Sequence, residues 1–316
     1  MYEQYYGLAE RPFDLSPNPR FLFLSKSHRE ALMHLRYGLT GRPGITVLIG
    51  EAGTGKTTLV KAALVAPGTH ESVIVHLSNP TLTRTEFFEY LASGFGFAPE
   101  AAASKTTFLR HLETALTASA QKHAVLALVV DEAQSLPHEL LEEIRLLTNT
   151  ETATGRSLAV ALVGQPELAA RLNDVKLRQL KQRVALRCEL MPLDLRETAA
   201  YIAARVRVAG GNADMLFTRE GVLAIHEHAK GIPRTISVIC DNALVNGFAT
   251  EVKPVGRDVI EEVCRDFELG QAPQFRTAPP PQTVRQSSVE RRPEAALVDS
   301  RPMFTDVTRR RRFSFF

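Results

Sequence analysis

Short apolar runs alternate with longer stretches of helical periodicity over the first 190 residues or so. The apolar runs have the length of β-strands, and they are Ile45 to Ile49, Ser72 to Leu77, Ala124 to Val130, Leu158 to Val163 and Val184 to Leu190. The third and fourth runs are apolar at every position, which is typical of strands buried on both faces of a parallel sheet. Residues 57–65, 85–94, 106–121 and 139–147 show helical patterns between these strands. The alternation predicts an α/β domain with a parallel sheet and helices on both faces.

The strand pattern stops at Pro192, and only helical spacing follows it. Apolar residues recur three or four positions apart in four successive groups, which begin at Leu195, Val222, Ile236 and Val259. Four short helices can enclose a core of their own. The sequence therefore predicts a small all-α domain after the α/β domain.

Composition separates a globular body from a distinct C-terminal segment. Hydrophobic residues make up 44% of the chain and charged residues 23%, as in ordinary globular proteins. Residues 271–316 contain nine arginines, no lysine and four acids, which gives +5; the whole chain carries +3, so residues 1–270 carry −2. This segment also lacks periodic apolar residues, so we predict a disordered tail over 270–316. The other predicted units are an N-terminal segment over 1–40, the α/β domain over 41–191 and the helical domain over 192–269.

The sequence shows neither a membrane anchor nor a secretion signal. Its longest apolar runs are far shorter than the ~20 residues of a membrane-spanning helix. The first six residues include Glu3 and no basic residue, which does not fit the basic start of a signal peptide. Three widely spaced cysteines, Cys188, Cys240 and Cys264, fit buried thiols in a reducing compartment. We therefore expect a cytoplasmic protein.

A glycine-rich turn follows the first predicted strand. Residues 50–57 read GEAGTGKT and fit the phosphate-loop pattern G-x-x-x-x-G-K-[ST]. Glycines let successive backbone N–H groups point inward at phosphates, and the helix that begins near Lys56 adds its positive end. We expect Lys56 to reach the β- and γ-phosphates and Thr57 to ligate Mg²⁺. The predicted nucleotide-binding residues are Gly50, Glu51, Ala52, Gly53, Thr54, Gly55, Lys56, Thr57 and Thr58.

An acidic pair ends the third predicted strand, where Leu126 to Val130 runs into Asp131 and Glu132. At the carboxyl end of that strand, Asp131 would hold Mg²⁺ beside Thr57, and Glu132 would orient and activate the attacking water. Taken alone, such a pair is also compatible with the charged start of a helix. Together with the phosphate loop upstream, it indicates a site that hydrolyses a nucleoside triphosphate.

Several classes of nucleotide hydrolase share these two motifs. Residues 131–134 read DEAQ and also match the D-E-A-x box of helicases, but helicases need a second α/β domain, and the chain after Pro192 has only a helical pattern. No N-K-x-D element for guanine is present, which argues against a GTPase. An α/β domain followed by a helical lid resembles the AAA+ ATPases. That resemblance implies ATP as substrate, Mg²⁺ as cofactor and a homo-oligomer, either a ring or a nucleotide-dependent assembly.

The AAA+ resemblance also assigns four further roles to polar residues. Gln165 follows the fourth strand, where a γ-phosphate sensor lies, although Asn or Thr is commoner there and a plain turn is the alternative. Arg183 is the favoured finger toward a neighbouring subunit's nucleotide, with Arg178 second; the alternative is a solvated basic helix face. Arg234 matches the sensor of the lid, or else it is an ordinary exposed arginine. Asn79 lies where some AAA+ proteins hold the catalytic glutamate inactive.

A narrower resemblance is carried mainly by the N-terminal segment. Residues 1–8 read MYEQYYGL, residues 11–13 RPF, residues 17–21 PNPRF and residues 28–32 HREAL, and residues 164–168 and 231–234 add GQPEL and GIPR. Over about residues 1–268 the chain resembles general secretion pathway protein A-type ATPases and the related ATPases of exosortase and polysaccharide-export loci. The resemblance implies that residues 1–40 pack on the nucleotide site, with Phe13 and Phe21 either contacting the base or lying in the core.

This resemblance implies that ATP hydrolysis drives assembly or remodelling of an envelope secretion or export system. The secretion proteins continue into a transmembrane helix and a peptidoglycan-binding domain, and neither pattern occurs here, which favours the export-locus relatives. Arg309–Arg312, with the phenylalanines after them, either contact an anionic membrane surface at ~1 kcal/mol per basic residue or stay in solvent. The protein is thus expected in the cytoplasm, with peripheral contact at the inner membrane as an option.

The alternative function is that of a DNA-associated AAA+ regulator of the transposition-targeting type. Such a protein would grip phosphates with lysines and arginines, and its binding would fall steeply with salt. The net charge of −2 over residues 1–270 argues against a broad basic footprint. A local patch over residues 176–187 could nevertheless suffice.

Overall fold

Five parallel strands form one sheet in the order β2-β3-β4-β1-β5. The strands are β1 Ile45–Gly50, β2 Val73–Leu77, β3 Leu126–Val130, β4 Ala159–Gly164 and β5 Val184–Leu190. The structure is a computed structural model that describes residues 1–16, 18–39, 44–65, 72–122, 124–150 and 157–266. The predicted tail, with Arg309–Arg312, lies outside the described residues. The sheet and its helices confirm the predicted α/β fold class.

The strand order brings the predicted chemistry to one edge of the sheet. β1 lies between β4 and β5, with Ile49 opposite Gly164, and β3 pairs with the other side of β4. The carboxyl ends of β1, β3 and β4 therefore lie side by side. In open parallel sheets, ligands bind outside these carboxyl ends.

Helices cover the sheet and continue into the second domain. Within the described residues the helices are α1 Tyr2–Tyr6, α2 Lys26–Gly38, α3 Lys56–Leu64, α4 Arg84–Gly94, α5 Lys105–Gln121, α6 His138–Leu147, α7 Pro166–Leu172, α8 Arg178–Gln182, α9 Leu195–Val208, α10 Arg219–Ala229, α11 Pro233–Ala249 and α12 Arg257–Asp266. Capping boxes begin α4, at Thr83 with Glu86, and α9, at Asp194 with Glu197. Such side chains satisfy backbone N–H groups that the first turn of a helix leaves free.

Each face of the sheet has its own apolar core. On one face, α4, α5 and α6 pack through side chains such as Phe87, Phe108 and Leu141. On the other face, α2 and α3 pack through Leu35 and Leu59. Because helices cover both faces, β1, β3 and β4 are buried at every position, as their continuous apolar patterns predict.

One buried carboxylate links three helices on the first of these faces. Glu143 of α6 is 7% exposed, and it pairs with Arg84 of α4 at 2.8 Å and with Lys105 of α5 at 2.6 Å. Arg84 and Lys105 keep 45% and 30% of their side chains in solvent. The pairing therefore neutralises the buried acid with cations that still reach water.

The lid, α9–α12, encloses a core to which the N-terminal segment contributes. Tyr2, Tyr6 and Phe13 are buried among the apolar side chains of the lid helices. The Tyr2 hydroxyl donates to Oδ1 of Asp241 at 2.5 Å. Downstream, α2 instead packs against α3, β1 and β5. The N-terminal segment thus spans both parts of the molecule, which spacing alone does not predict.

The three cysteines are free and buried, as expected from their spacing. Burial raises the pKa of Cys240 well above that of an ordinary thiol. Among the residues that the structure describes, no helix has both the length and the apolar character needed to cross a membrane.

Candidate nucleotide-binding site

The phosphate loop joins β1 to α3 and depends on two glycines in the left-handed region. Gly53 has φ +83° and Gly55 has φ +97°, conformations that side chains with a Cβ rarely adopt. Thr54 between them is fully buried, and its hydroxyl donates to the carbonyl oxygen of Glu51 at 2.8 Å. The loop therefore has an internal hydrogen bond, and its last glycine, Gly55, is the N-cap of α3.

Lys56 lies folded against the loop at the start of α3. Its side chain is buried, and Nζ donates to the carbonyl oxygens of Gly50 at 2.8 Å and Glu51 at 3.0 Å. Burial lowers the pKa of Lys56, although the negative charges of Glu132 and Asp131 oppose that shift. The ammonium group is thus held at the mouth of the loop by carbonyl oxygens and by an acidic neighbourhood.

Thr57 and Asp131 meet across the carboxyl ends of β1 and β3. The Thr57 hydroxyl donates to Oδ2 of Asp131 at 2.7 Å, and Asp131 is only 4% exposed. A hydroxyl and a carboxylate are hard oxygen ligands of the kind that Mg²⁺ takes together with phosphate and water oxygens. Within the described ranges, no group of three or more His, Cys, Asp or Glu side chains is arranged to hold a metal ion. The pair fits a nucleotide-dependent Mg²⁺ site, where the protein supplies only part of the coordination shell.

Glu132 follows Asp131 in a left-handed backbone conformation, with φ +51°. This conformation is uncommon for a residue with a Cβ and occurs more often at functional sites. Its Oε2 accepts hydrogen bonds from Nε2 of Gln134 at 2.5 Å and Nε2 of Gln165 at 3.1 Å. Partial burial raises the pKa of Glu132, but these two donors and the charge of Lys56 outweigh it and lower the pKa below the ordinary value. The carboxylate is thus kept ionised.

Gln134 and Gln165 form a single network behind Glu132. The backbone N–H of Gln165 donates to Oε1 of Gln134 at 3.1 Å, and Arg171 donates to the Gln134 carbonyl oxygen. A Cβ on Gly164 would lie 2.7 Å from Oε1 of Gln134, so only glycine leaves room for this amide. Gln134 was not among the predicted site residues; its place in the sequence, two positions after Glu132, was the available signal.

The lid contacts the phosphate loop directly. The backbone N–H of Arg234, in the first turn of α11, donates to the carbonyl oxygen of Gly53 at 3.1 Å. Pro233 begins α11 where its missing N–H has no consequence. The Arg234 side chain is exposed and lines the cavity between lid and loop.

A cavity of about 500 Å³ lies where these parts meet, within the range of ligand sites. The loop, the acidic pair, the lid and the N-terminal segment all contribute to its wall. The lining residues are Asp14, Leu15, Ser16, Asn18, Phe21, Ala52, Gly53, Gly55, Lys56, Thr57, Thr58, Glu132, Gln165, Tyr201, Arg205, Pro233, Arg234 and Ser237.

Two lining residues of α9, Tyr201 and Arg205, were not predicted. Arg205 donates to the backbone carbonyl oxygens of Pro12 and Asp14, and its guanidinium lies 4.9 Å from the ring centre of Phe21. Arg205 thereby holds the N-terminal segment against the lid at the rim of the cavity. Both residues fit the helical spacing of α9, so pattern analysis treats them as ordinary helix positions.

The two candidate base contacts have different positions. Phe13 is 1% exposed, and its ring packs edge-on against Phe217 with the centroids 6.1 Å apart, so it lies in the lid core. Phe21 lines the cavity, although most of its surface is buried. Of the pair, only Phe21 is in a position to touch a bound base.

Three other candidates lie away from the cavity wall. Arg178 begins α8 in an exposed position, and Arg183 is half-buried directly before β5, the edge strand. Asn79 is exposed, and its side-chain oxygen accepts from the backbone N–H of Thr81 at 3.3 Å. The side chains that donate hydrogen bonds to Glu132 in this structure are those of Gln134 and Gln165, and not that of Asn79.

Comparison with known proteins identifies the fold of this site. Residues 39–172 match the family model of the AAA domain. This part of the chain is therefore an AAA domain. The chain is 40% identical over 249 residues to general secretion pathway protein A of Aeromonas hydrophila, a match that covers 79% of this chain and 45% of that protein. It therefore spans about half the length of this curated relative.

Solved structures show the same architecture at low sequence identity. The chain has a TM-score of 0.55 to Aeropyrum pernix ORC2 in its ADPNP–ADP complexes, at 15% identity over 83% of this chain and 72% of that one. It has a TM-score of 0.58 to Aeropyrum pernix ORC1 in complex with DNA, at 16% identity over 82% and 69% of the two chains. These likenesses concern the fold.

Proposed function

We propose that this protein binds ATP with Mg²⁺ in the cavity between the phosphate loop and the lid, and that it hydrolyses the ATP. The observation that carries the proposal is the hydrogen bond of 2.7 Å between Thr57 and Asp131, with Lys56 and Glu132 lining the same cavity. Loop amides and Lys56 would bind the phosphates, and Thr57 and Asp131 would hold Mg²⁺. When bound, Mg²⁺ would neutralise charge on the phosphate oxygens.

Glu132 is the residue we assign to water activation. Its lowered pKa keeps the carboxylate ionised at neutral pH, so it can accept a hydrogen bond from a water aligned with the terminal phosphate. Gln165 donates a hydrogen bond to the Glu132 carboxylate and also lines the cavity. These two contacts support a role in which Gln165 senses the terminal phosphate and positions Glu132. Arg234 would reach the same phosphate from the lid.

A neighbouring subunit would complete the site. Arg183 and Arg178 precede the exposed edge strand and are not among the residues that line their own cavity. This position supports action on the nucleotide of an adjacent copy, with Arg183 favoured and Arg178 second. An arginine that acts in this way contributes roughly 10³–10⁵ in rate.

We further propose that hydrolysis drives assembly or remodelling of an envelope secretion or export component. The support is the name and 40% identity of the relative from Aeromonas hydrophila. Localisation in the cytoplasm, with peripheral contact at the inner membrane, follows from the same proposal.

The catalytic part is tested by two variants of the purified chain. Lys56→Ala should abolish calorimetric ATP–Mg²⁺ binding, because it removes the cation that faces the phosphates. Glu132→Gln should bind ATP normally yet release phosphate at least ~10²-fold more slowly. Undiminished phosphate release by Glu132→Gln would remove Glu132 from its role.

A DNA-associated regulator is the second candidate, favoured by exposed basic side chains near β5. Lys176, Arg178, Lys181 and Arg187 are exposed on one stretch of chain. Binding of a DNA duplex by residues 1–270 should then weaken steeply between 50 and 200 mM salt. A gel shift at these two concentrations, with Arg187→Ala as a test variant, separates the two functions.

A further inference from the structure

A buried histidine connects α2 to the phosphate loop. His28 is 4% exposed, and its Nε2 lies 2.9 Å from the carbonyl oxygen of Thr54. Its Nδ1 lies 2.8 Å from Oγ of Ser25, the N-cap of α2, which is also buried. The loop contact joins residues 26 positions apart in sequence.

The partners of the ring fix its tautomer. A carbonyl oxygen can only accept, so Nε2 must carry the proton and donate to Thr54. Nδ1 is then the acceptor, and the Ser25 hydroxyl donates to it. Burial lowers the pKa of His28, which favours this neutral form, although the Thr54 contact opposes the shift. Both ring nitrogens are therefore engaged by the protein, so His28 has no free nitrogen to offer a bound nucleotide.

The contact continues through the loop to Lys56. Thr54 donates its hydroxyl to the Glu51 carbonyl oxygen, and the same oxygen accepts from Nζ of Lys56 at 3.0 Å. A Cβ added at Gly55 would lie 3.5 Å from Nε2 of His28, so the ring also packs beside the loop's second left-handed glycine. His28 thus supports the loop at Thr54 and Gly55, one residue from the catalytic lysine.

We propose that His28 is a positioning residue that holds the phosphate loop in its nucleotide-binding shape, so that ATP affinity depends on the hydrogen bond from its Nε2 to Thr54. The inference rests on the proposed function, because it takes ATP as the ligand of this loop. Losing the donor leaves a buried carbonyl oxygen unpaired and frees the loop to relax. The effect should therefore fall on ATP binding rather than on turnover at saturating ATP.

Three substitutions test the atom involved. Glutamine places an N–H donor near the position of Nε2, asparagine reaches only as far as Nδ1, and alanine has neither. In calorimetric titrations of the full chain with ATP–Mg²⁺, His28→Ala and His28→Asn should raise the Kd roughly tenfold or more. His28→Gln should stay within about threefold of wild type. For all three, kcat at saturating ATP should change less than Kd.

His34→Ala is the matched control, because His34 lies on the same helix, six residues beyond His28. It should leave Kd unchanged. Failure of wild type to bind ATP would refute the proposed function itself. If wild type binds ATP and His28→Ala has the same Kd, the positioning role is wrong. It is equally wrong if His28→Gln and His28→Asn have the same Kd, or if His34→Ala raises the Kd as much as His28→Ala does. Should His28→Ala fail to fold, the comparison of glutamine with asparagine decides.

Discussion

The carbonyl oxygen of Gly53 accepts a hydrogen bond of 3.1 Å from the backbone N–H of Arg234. The donor lies in the first turn of α11, whose N–H groups have no partner within the helix. The phosphate loop therefore supplies the cap of a lid helix. The phosphate loop and the lid, which both line the cavity, are thus joined by a hydrogen bond between backbone atoms.

Gly53→Ala should weaken both stability and ATP binding. The left-handed conformation at φ +83° disfavours a Cβ by ~1 kcal/mol, and that Cβ would lie 2.8 Å from Cβ of Arg234. Gly96→Ala is the control, since Gly96 has φ +71° but open space around it. We expect Gly96→Ala to lower the free energy of unfolding by about 1 kcal/mol and to spare ATP affinity. Equal ATP affinities for the two variants would contradict a role of the lid contact.

Thr57→Ala should remove the part of ATP binding that depends on Mg²⁺. The substitution deletes the hydroxyl that lies 2.7 Å from Asp131, whereas Thr57→Ser retains it. We expect Kd in Mg²⁺ to rise roughly tenfold or more for alanine, and to change little for serine. Titrations with Mg²⁺ and with EDTA measure this difference. If alanine responds to Mg²⁺ as strongly as wild type, the metal does not use this hydroxyl.

Removing the amides behind Glu132 should shift the pH dependence of hydrolysis. Gln134 and Gln165 stabilise the ionised carboxylate, and without them burial favours the neutral acid, so the pKa of Glu132 rises. As pH falls, kcat/KM of Gln134→Ala and Gln165→Ala should therefore decline at a higher pH than in wild type. Gln121→Ala, at an exposed glutamine of α5, should leave the profile in place. Unshifted profiles in both test variants would count against Glu132 as the base.

The ion cluster at Glu143 should respond asymmetrically to substitution. Replacing Arg84 and Lys105 together by methionine leaves the Glu143 carboxylate, which is 7% exposed, without a cation partner. This should lower the free energy of unfolding by about 3 kcal/mol. Glu143→Gln should lower the free energy of unfolding by only about 1 kcal/mol, because the two cations that it leaves unpaired still reach water. Urea unfolding measures both, with Arg257→Met as a reference, because its partners Glu227 and Glu261 are exposed carboxylates. A larger loss for Glu143→Gln than for the double variant would overturn this reasoning.

The local sequence pattern was sufficient to predict the strands of the sheet, the phosphate loop after β1 and the acidic pair after β3. Each predicted strand agrees with the structure within two residues, because continuous apolar runs in parallel strands are distinctive. The helix over Lys26–Gly38 was not predicted, although Ser25 as N-cap and the apolar spacing of Ala31, Leu35 and Leu39 carried the signal.

Contacts between distant parts of the chain could not be predicted. The pairing of His28 with Thr54, and of Arg205 with the carbonyl oxygens of Pro12 and Asp14, depends on how helices pack, which periodicity does not encode. The same holds for the place of β1 between β4 and β5. Sequence spacing located the chemistry, and tertiary packing supplied the residues that position it.

The lid core also has a consequence for biosynthesis. Tyr2 leaves the ribosome early, whereas its partner Asp241 is made 239 residues later. At ~5–20 residues per second, the N-terminal aromatic side chains wait on the order of ten to fifty seconds for the helices that bury them. Strands and phosphate loop can form meanwhile, while those aromatics remain open to chaperones. Because Pro233, Arg234 and Ser237 of α11 line the cavity, it is complete only after that helix has been synthesised.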